Sequence, residues 1–181
     1  MNIRKKLLPL LVGFVVGCLI VGLFIAYRMG AFNKVRLLRE QRGPYRIVCL
    51  PHTGAYNRIG EKILKVKALL KRPDDQLGLP CGIYYDNPNE VAEEKLRSKG
   101  GYVIKGEVKT EAPLEVENIP RREALVARFK GHPVVAAMKI CPAMSKWMSE
   151  NGRKPAGPAI EFYRKGLVEC EIPVVVVASE E

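Results

Sequence analysis

Two short segments of the chain each place a tyrosine near an acidic residue. GIYYD (82–86) contains Tyr84 and Asp86, and AIEFY (159–163) contains Glu161 and Tyr163. Side chains of a β-strand alternate between its two faces, so the tyrosine and the acid of each segment share a face. If the two strands lie close together, these four side chains line one cleft. A carboxylate beside aromatic rings attracts a delocalised cation through Coulomb attraction and cation–π contact.

Hydrolysis of an electrophilic small molecule is a second chemistry open to this cleft. Glu161 would act as a base on water, and Tyr84 would donate a proton. The sequence offers no Ser/His/Asp arrangement of a nucleophile with its base, so binding is the first interpretation. His52 and His132 each fall at a predicted turn between a strand and a helix, and we interpret them as turn residues. Asp86 begins the stretch Asp-Asn-Pro, which is typical of a turn.

Metal and cofactor chemistry find no support in the spacing of the cysteines. The chain has five of them, at positions 18, 49, 81, 141 and 170. No CxxC pair and no Cys/His cluster occurs, so no metal site and no cofactor are expected. Cys49 and Cys170 fall within apolar runs, which favours buried thiols over disulfides.

The secondary-structure elements that must position these residues form two predicted repeats along the chain. The order strand, turn, helix, loop, strand, strand occurs first in YRIVCL (45–50), a helix within 57–72, GIYYD, and GYVIKGEV (101–108). It occurs again in EALVARFKG (123–131), a helix within 134–152, AIEFYRKG (159–166), and LVECEIPVVVV (167–177). This duplication predicts an α+β domain of two pseudo-symmetric β-α-β-β repeats, with one antiparallel sheet and the helices on one face.

Strand alternation also predicts which face each side chain takes. Ile83, Tyr85, Ile160 and Phe162 are expected to pack under the helices. Tyr84, Glu161 and Tyr163 are then expected on the open face, away from the helices. The polar segment 107–121 is interpreted as the hinge between the two repeats.

The first 30 residues contain an uncharged, mostly apolar run of 21 residues, from Leu7 to Tyr27. A helix of that length covers about 30 Å, the thickness of the bilayer hydrocarbon. A cleaved signal peptide has a shorter apolar core, of about 7–15 residues. VVGC, ending at Cys18, resembles a lipoprotein cleavage box, but the apolar LIVGLFIAY follows it instead of a polar tether. The sequence therefore predicts an uncleaved, single-pass transmembrane anchor at residues 1–30.

The net charge of +11 is concentrated around this anchor. Residues 1–42 hold eight basic side chains and one acidic one, whereas the other 139 hold 22 and 18. A basic flank of this kind suits anionic lipid headgroups, and no DNA-binding or RNA-binding motif occurs, so no nucleic acid is expected. Residues 31–42 are interpreted as a basic juxtamembrane linker. Their basic residues favour a cytosolic domain, although the RKK head at 4–6 is typical of an anchor with its N-terminus inside.

Several of these segments together resemble a known family. The duplicated β-α-β-β pattern, TGAY (53–56) before the first helix, GIYYDNP (82–88) and AIEFY resemble the GyrI-like small-molecule-binding domain. The resemblance covers about residues 43–178, with repeats at about 45–106 and 122–177. The leading apolar helix together with YYDNP resembles the membrane-anchored form, which includes the testis-expressed ER-phagy receptor and its bacterial relatives.

The resemblance implies a function and a set of site residues. Members of the family bind hydrophobic, often cationic compounds in a cleft between the repeats, where a buried glutamate meets the positive charge. By resemblance Glu161 is that charge partner, and Tyr84, Tyr163 and Tyr56 are the aromatic walls. Trp147, on the second predicted helix, is a further candidate at the cleft floor or in the core. The implied protein is a membrane-anchored, non-catalytic binding domain for hydrophobic or cationic small molecules. A hydrolase of electrophiles and a membrane adaptor for a protein partner of unknown identity are the alternatives.

Overall fold

The computed structural model describes residues 3–70, 77–106, 108 and 110–177. Its first element is the long helix α1 (Ile3–Arg28). Within this helix Pro9–Arg28 have a mean hydropathy of 2.7 and are not buried against the rest of the chain. Their length and composition suit a membrane-spanning helix, and they would also suit a signal sequence.

An antiparallel sheet forms the body of the described chain. Its strands are β1 (Arg36–Arg42), β2 (Tyr45–Thr53), β3 (Leu77–Tyr84), β4 (Arg97–Ile104), β5 (Glu115–Ile119), β6 (Arg122–Lys130), β7 (Arg153–Pro155), β8 (Ala159–Arg164) and β9 (Leu167–Val176). Eight of them follow the spatial order β1-β6-β9-β8-β3-β4-β2-β5, and β7 pairs with β9. Helix α2 (Ile59–Leu70) follows β2, and helix α3 (Pro133–Glu150) follows β6.

The strand order confirms the predicted duplication. The first repeat contributes β2, α2, β3 and β4, and the second contributes β6, α3, β8 and β9. In the sheet, the sequence β6-β9-β8 of one half is mirrored by β2-β4-β3 of the other. The equivalent strands β3 and β8 therefore pair with each other at the centre, where the pseudo-twofold axis passes.

Both helices pack on the same face of the sheet, as predicted. Helix α2 buries Ile59, Ile63 and Val66, which recur at helical spacing, and Ile63 and Val66 lie in a cluster with strand residues of β2 and β4. Helix α3 buries Ala136, Ile140 and Met144 against β6 and β9. The ring of Tyr163 packs against both clusters, so the two helices flank the central strands.

A third apolar cluster lies on the opposite face, and none of the described helices contributes to it. Its buried members are Ile47, Cys49, Cys81, Ile83, Ile119, Ile160 and Phe162. Tyr45 on β2 meets Phe162 on β8 edge-on, with ring centroids 5.2 Å apart. These strands are three steps apart in the sheet, roughly 14 Å along a flat sheet. The sheet must therefore curl strongly around this cluster.

The predicted face assignment is wrong for the central strands. Ile83 and Ile160, expected under the helices, lie in the cluster on the opposite face, together with Tyr85 and Phe162. Alternation correctly shows which side chains share a face. It does not show which face the helices cover, because that depends on the path of the chain between strand and helix.

Two segments that the sequence predicts to be linkers contain edge strands, and this corrects both interpretations. Residues 36–42 of the predicted juxtamembrane linker form β1, which pairs with β6 with Arg36 opposite Arg128. Residues 115–119 of the predicted hinge form β5, which pairs with β2. Their charged sequences, RLLREQR and EVENI, lack a strong apolar period. Edge strands accept charged residues because one of their sides faces solvent.

Buried charges tie β1 to the sheet on the face opposite the helices. Glu171 on β9 is completely buried. Its carboxylate accepts hydrogen bonds from Arg42 Nε at 2.7 Å, Tyr45 Oη at 3.0 Å and Arg122 Nη2 at 3.1 Å. Glu169 is held in the same way by Arg42 and Arg128. Because each buried carboxylate is paired, the cost of removing it from water is offset by the ion pairs.

Candidate ligand-binding site

The predicted residues Tyr84, Glu161 and Tyr163 meet in one hydrogen-bonded group. The Tyr163 hydroxyl donates to Glu161 Oε2 at 2.8 Å. The hydroxyls of Tyr84 and Tyr163 are 2.7 Å apart, and the Tyr84 oxygen is 3.4 Å from the same Oε2 atom. Each hydroxyl carries one proton. Tyr163 donates a hydrogen bond to the carboxylate, and Tyr84 donates to the Tyr163 oxygen and, at the longer distance, to the same carboxylate oxygen. The group is thus a short chain of donors that ends at the carboxylate.

The central strand pair brings these residues together. In the ladder between β3 and β8, Glu161 lies opposite Gly82, and Tyr84 lies opposite Ala159. Gly82 has no side chain, and the Tyr84 ring folds back over it: a Cβ atom at position 82 would lie 2.8 Å from the Tyr84 hydroxyl oxygen. The glycine therefore makes the space in which the tyrosine hydroxyl reaches across to Glu161.

The group lies on the helix face of the sheet. Glu161 and Tyr163 pair with Cys170 and Val168 of β9, which belong to the cluster under α3. The prediction of an open face away from the helices is therefore wrong, whereas the prediction that Tyr84, Glu161 and Tyr163 share one face is correct. The three side chains are partly buried, between the parts of the sheet covered by α2 and α3.

The ring of Tyr56 lies beside this group. Tyr56 lies in a 3₁₀ turn, Tyr56–Arg58, just before α2. Its ring meets the Tyr84 ring edge-on, with centroids 4.8 Å apart. Its hydroxyl donates to the Asp86 carbonyl oxygen at 2.9 Å and accepts from the Asp86 amide at 3.1 Å. These two bonds hold the ring in place against Tyr84.

Small residues form the floor beside this group. Gly82 lies opposite Gly100 of β4, and a Cβ atom at position 100 would lie 2.9 Å from Lys62 Cβ of α2. Ser98, opposite Tyr84, is 2% exposed, and its hydroxyl has no partner among the described residues. Sequence reasoning missed all three of these residues. The signal was the two glycines, since a glycine within a strand marks a close approach of other groups.

The electrostatics of Glu161 are unusual for a carboxylate. Burial raises its pKa, and the hydrogen bonds from Tyr163 and Tyr84 only partly oppose that rise. No cationic side chain of the described residues contributes to lowering it. Burial and the Glu161 charge also raise the pKa of Tyr84 and of Tyr163, so both remain neutral donors at physiological pH. The site therefore holds a desolvated carboxylate without a positive partner.

Two cysteines lie within electrostatic reach of Glu161. The pKa of Cys141, on α3, is raised by desolvation and then by the Glu161 charge. The pKa of Cys170, on β9, is raised by burial and by the same carboxylate. Both thiols therefore stay protonated and are poor nucleophiles. Cys170 also lies opposite Glu161 in the ladder between β8 and β9, so β9 borders the site.

The other predicted residues lie outside this group. The Asp86 carboxylate binds Arg97, with an Nη2–Oδ1 distance of 2.7 Å, at the turn that follows β3. Trp147 packs against the apolar cluster under α3, so its place in a binding site stays a prediction. His52 Nε2 lies 3.0 Å from the Ala55 carbonyl oxygen, and His132 caps α3 by accepting from the Val134 amide at 3.3 Å. The turn interpretation of both histidines agrees with these contacts.

Metal binding has no group of ligands to support it in the described residues, where His, Cys, Asp and Glu do not cluster in threes. The thiols of Cys49, Cys81 and Cys170 are free and buried, and those of Cys18 and Cys141 are free and exposed.

Comparison with known proteins gives a family match and several shared folds. A family profile described as a GyrI-like small molecule binding domain matches residues 40–174. We find no match among curated proteins. The structure of EcmrR in a complex with DNA has a TM-score of 0.64 and 13% identity, over 96% of this chain and 70% of that one.

Two smaller structures show the same fold. An integron cassette protein from Vibrio cholerae has a TM-score of 0.58 and 12% identity, over 79% of this chain and 99% of that one. The protein SAV2435, solved with bound tetraphenylphosphonium, has a TM-score of 0.55 and 15% identity, over 77% of this chain and 94% of that one. At such identities the similarity shows the fold alone.

Proposed function

Since this chain belongs to the family of GyrI-like small molecule binding domains, we propose that it binds hydrophobic organic cations beside Glu161. The site takes the positive group of the ligand at the carboxylate. The rings of Tyr56, Tyr84 and Tyr163 contact its apolar part. The domain acts by binding and not by chemistry, and α1 anchors it in a membrane as a single-pass protein.

One observation carries this proposal: Glu161 is a desolvated carboxylate whose only described hydrogen-bond donors are two neutral tyrosines. A buried carboxylate is costly unless a positive charge meets it. An organic cation supplies that charge, and it requires less desolvation than an ammonium ion because its charge is spread over the molecule. Aromatic rings around the carboxylate add cation–π attraction, worth about 0.5–2 kcal/mol each.

Tetraphenylphosphonium is a suitable probe because it is hydrophobic and carries a delocalised charge. Titration of the full chain in detergent by calorimetry should show saturable binding. Glu161→Gln keeps the shape of the side chain and removes its charge, and should weaken binding about 10–100-fold, the loss of one charge-assisted interaction of about 1.5–3 kcal/mol. Glu123→Gln is the matched control, since Glu123 is exposed and pairs with Arg39 on the surface.

The neutral compound triphenylphosphine oxide separates charge from apolar contact. It should bind the natural protein and Glu161→Gln with similar affinity. Equal binding of tetraphenylphosphonium to both proteins would remove Glu161 from the proposal.

Hydrolysis of an electrophile is the second candidate function. It is favoured by the chain of donors Tyr84–Tyr163–Glu161, since a carboxylate with a raised pKa suits general acid–base catalysis. Incubation with a panel of strained cyclic electrophiles, followed by mass spectrometry, distinguishes the two functions. Product beyond one equivalent per protein, lost in Glu161→Gln, would replace the binding proposal with an enzymatic one.

A further inference from the structure

Several hydrogen bonds join the segment that follows α1 to one end of the folded domain. The His132 amide donates to the Met29 carbonyl oxygen at 3.0 Å, just after the last residue of α1. Asn33 Nδ2 donates to the Lys130 carbonyl oxygen at 2.6 Å. Lys139 Nζ of α3 donates to the carbonyl oxygens of Ala31 and Asn33. The segment that leaves α1 is therefore packed on the domain.

Four strand ends meet at this place. Strand β1 begins here and β6 ends here, because Arg36 pairs with Arg128 near the end of β6. Strand β9 begins opposite Lys130, and β8 ends beside it. The Gly131 amide donates to the Gly166 carbonyl oxygen at 3.1 Å, which joins the two turns.

Basic side chains surround these strand ends. We call them the basic rim; all six are exposed, and they are Arg28, Lys34, Arg36, Lys130, Arg164 and Lys165. No acidic residue occurs in 24–39, 129–139 or 162–168, the segments that form this end of the domain. Over the described residues, no ion pair neutralises any of the six. This end of the domain is therefore strongly positive.

Exposed apolar side chains lie near the basic rim. Phe32, Val134 and Met138 are 65%, 58% and 74% exposed, and the last two are one turn apart on α3. A cavity of about 670 Å³ runs between the end of α1 and the turns at 130–133 and 166. It has apolar walls from Phe24 and Tyr27 and basic walls from Arg28 and Lys130. Apolar groups beside a cluster of positive charge match the boundary between lipid headgroups and acyl chains.

We propose that this end of the folded domain docks on the surface of an anionic phospholipid bilayer. The basic rim binds the headgroups, and Phe32, Val134 and Met138 enter the interfacial layer. The inference rests on the proposed role of α1 as a membrane anchor, and it goes further, since the domain itself makes contacts with lipid. Each basic residue near such a surface adds about 1 kcal/mol of attraction.

The proposed docking sets the height of the ligand site above the membrane. Glu161 precedes Arg164 of the basic rim by three residues on β8, which is about 10 Å along a strand. Cys141, whose pKa is raised by the Glu161 charge, follows Met138 by three residues on α3, a rise of about 4.5 Å. An amphipathic cation dissolved in the bilayer therefore has a short path to the carboxylate.

Fluorescence quenching by brominated lipid tests the docking in the full chain. Trp147 is the only tryptophan, so Trp147→Phe gives a silent background in which Met138→Trp reports contact with lipid. The chain is reconstituted in vesicles of brominated phosphatidylcholine with 0 or 30% phosphatidylserine. We expect strong quenching with phosphatidylserine, reduced at high salt. Gln41→Trp, an exposed position near the far end of β1, should show little quenching.

Charge reversal at the two ends of strand β6 provides a matched pair. Lys130→Glu changes the basic rim at the last residue of β6 and should reduce quenching of the indole at position 138 at least twofold. Arg121→Glu changes an exposed residue just before β6, about 30 Å away along the strand, and should leave quenching unchanged. Circular dichroism checks that each variant is folded.

Flotation of the vesicles distinguishes failure of the anchor from failure of the docking. If the full chain does not float with the vesicles, the proposed anchor is wrong. The docking proposal depends on that anchor and is then wrong too. If the chain floats but the indole at 138 is no more quenched than the one at 41, the docking alone is wrong. Quenching that is the same with and without phosphatidylserine would also overturn the docking proposal. Binding of nucleic acid through the basic rim instead, seen as a mobility shift in a gel, would do so as well.

Discussion

Gly82 and Glu161 lie directly opposite each other on the two central strands, β3 and β8. The pair joins the two repeats at the pseudo-twofold axis, and the two residues play unequal parts in it. Glu161 supplies the carboxylate, and Gly82 supplies the empty space in which the Tyr84 hydroxyl lies. Because only one of the two equivalent strands carries a carboxylate at this pair, the duplicated fold has one site with one charge.

Gly82→Ala should displace Tyr84 and weaken ligand binding. The new methyl group would lie 2.8 Å from the Tyr84 hydroxyl oxygen and 2.9 Å from Cζ, so the ring must turn away. The ring is the far end of a side chain, so the strand can stay in place while the hydrogen bond to Tyr163 is lost. We expect about tenfold weaker binding of tetraphenylphosphonium, equal to about 1.4 kcal/mol, by calorimetry.

Gly60→Ala is the control for that change. A Cβ atom at Gly60, on the exposed side of α2, meets nothing within 4 Å. It should leave binding unchanged and raise stability by up to about 1 kcal/mol, because alanine favours the helix. Unaltered binding in Gly82→Ala would show that the position of Tyr84 does not matter.

Binding of an organic cation should weaken as the pH falls. Burial raises the pKa of Glu161, and only its ionised form attracts the cation. As the pH falls below this raised pKa, the affinity should drop about tenfold per pH unit, because the carboxyl group must first lose its proton. Calorimetry in two buffers with different ionisation enthalpies should detect proton release on binding. Glu161→Gln should show a flat pH profile, and a sloping profile in that variant would assign the effect to another group.

Glu161→Gln should stabilise the protein in the absence of ligand. The pKa of Glu161 is higher in the folded chain than in the unfolded chain, so its contribution to stability is fully present at low pH. That contribution is lost as the pH rises through the raised pKa. The neutral amide avoids this loss and can still accept from Tyr163.

Thermal unfolding checks this expectation. At neutral pH the variant should unfold at a higher temperature, by roughly 2–4 °C for each kcal/mol. The difference should shrink as the pH is lowered, and a variant less stable than the natural protein at neutral pH would contradict the assignment.

Glu171→Ala should be severely destabilising, because it breaks the buried charge network that holds β1. Glu171 is completely buried, and its loss leaves the Arg122 guanidinium group without its described ion-pair partner. It also removes one of the three carboxylates that Arg42 contacts. Breaking a buried ion pair costs about 3–5 kcal/mol. Glu123→Ala removes an exposed ion pair between Glu123 on β6 and Arg39 on β1. This change should cost less than about 1 kcal/mol. Equal losses in the two variants, measured by thermal unfolding in detergent, would show that the buried network contributes no more than a surface pair.

The sequence alone was sufficient to predict the repeats and to place three polar side chains on one face. The periodic spacing of apolar residues, which occurs twice along the chain, predicted two β-α-β-β units. The alternation of side chains in a strand placed Tyr84, Glu161 and Tyr163 on one face. Both are local properties, set by the two-residue period of a strand and the 3.6-residue period of a helix. Resemblance to the family added Tyr56, which the structure brings against Tyr84.

The sequence could not show that β1 and β5 are strands. Their stability comes from partners that are distant in the chain, such as Glu171 for Arg42, and charged edge strands carry little local signal. The role of Gly82 was hidden for the same reason, since its importance lies in the ring that covers it.

What the sequence determined by itself is therefore the periodic part of this protein: two repeats, an apolar helix before them, and three polar side chains that share a face. The tertiary structure decided which face the helices cover and how far the sheet curls. It also decided that the Glu161 carboxylate has no cationic partner among the described residues. Those properties depend on contacts between residues far apart in the chain, such as Tyr84 and Tyr163, which are 79 positions apart, and no local pattern encodes them.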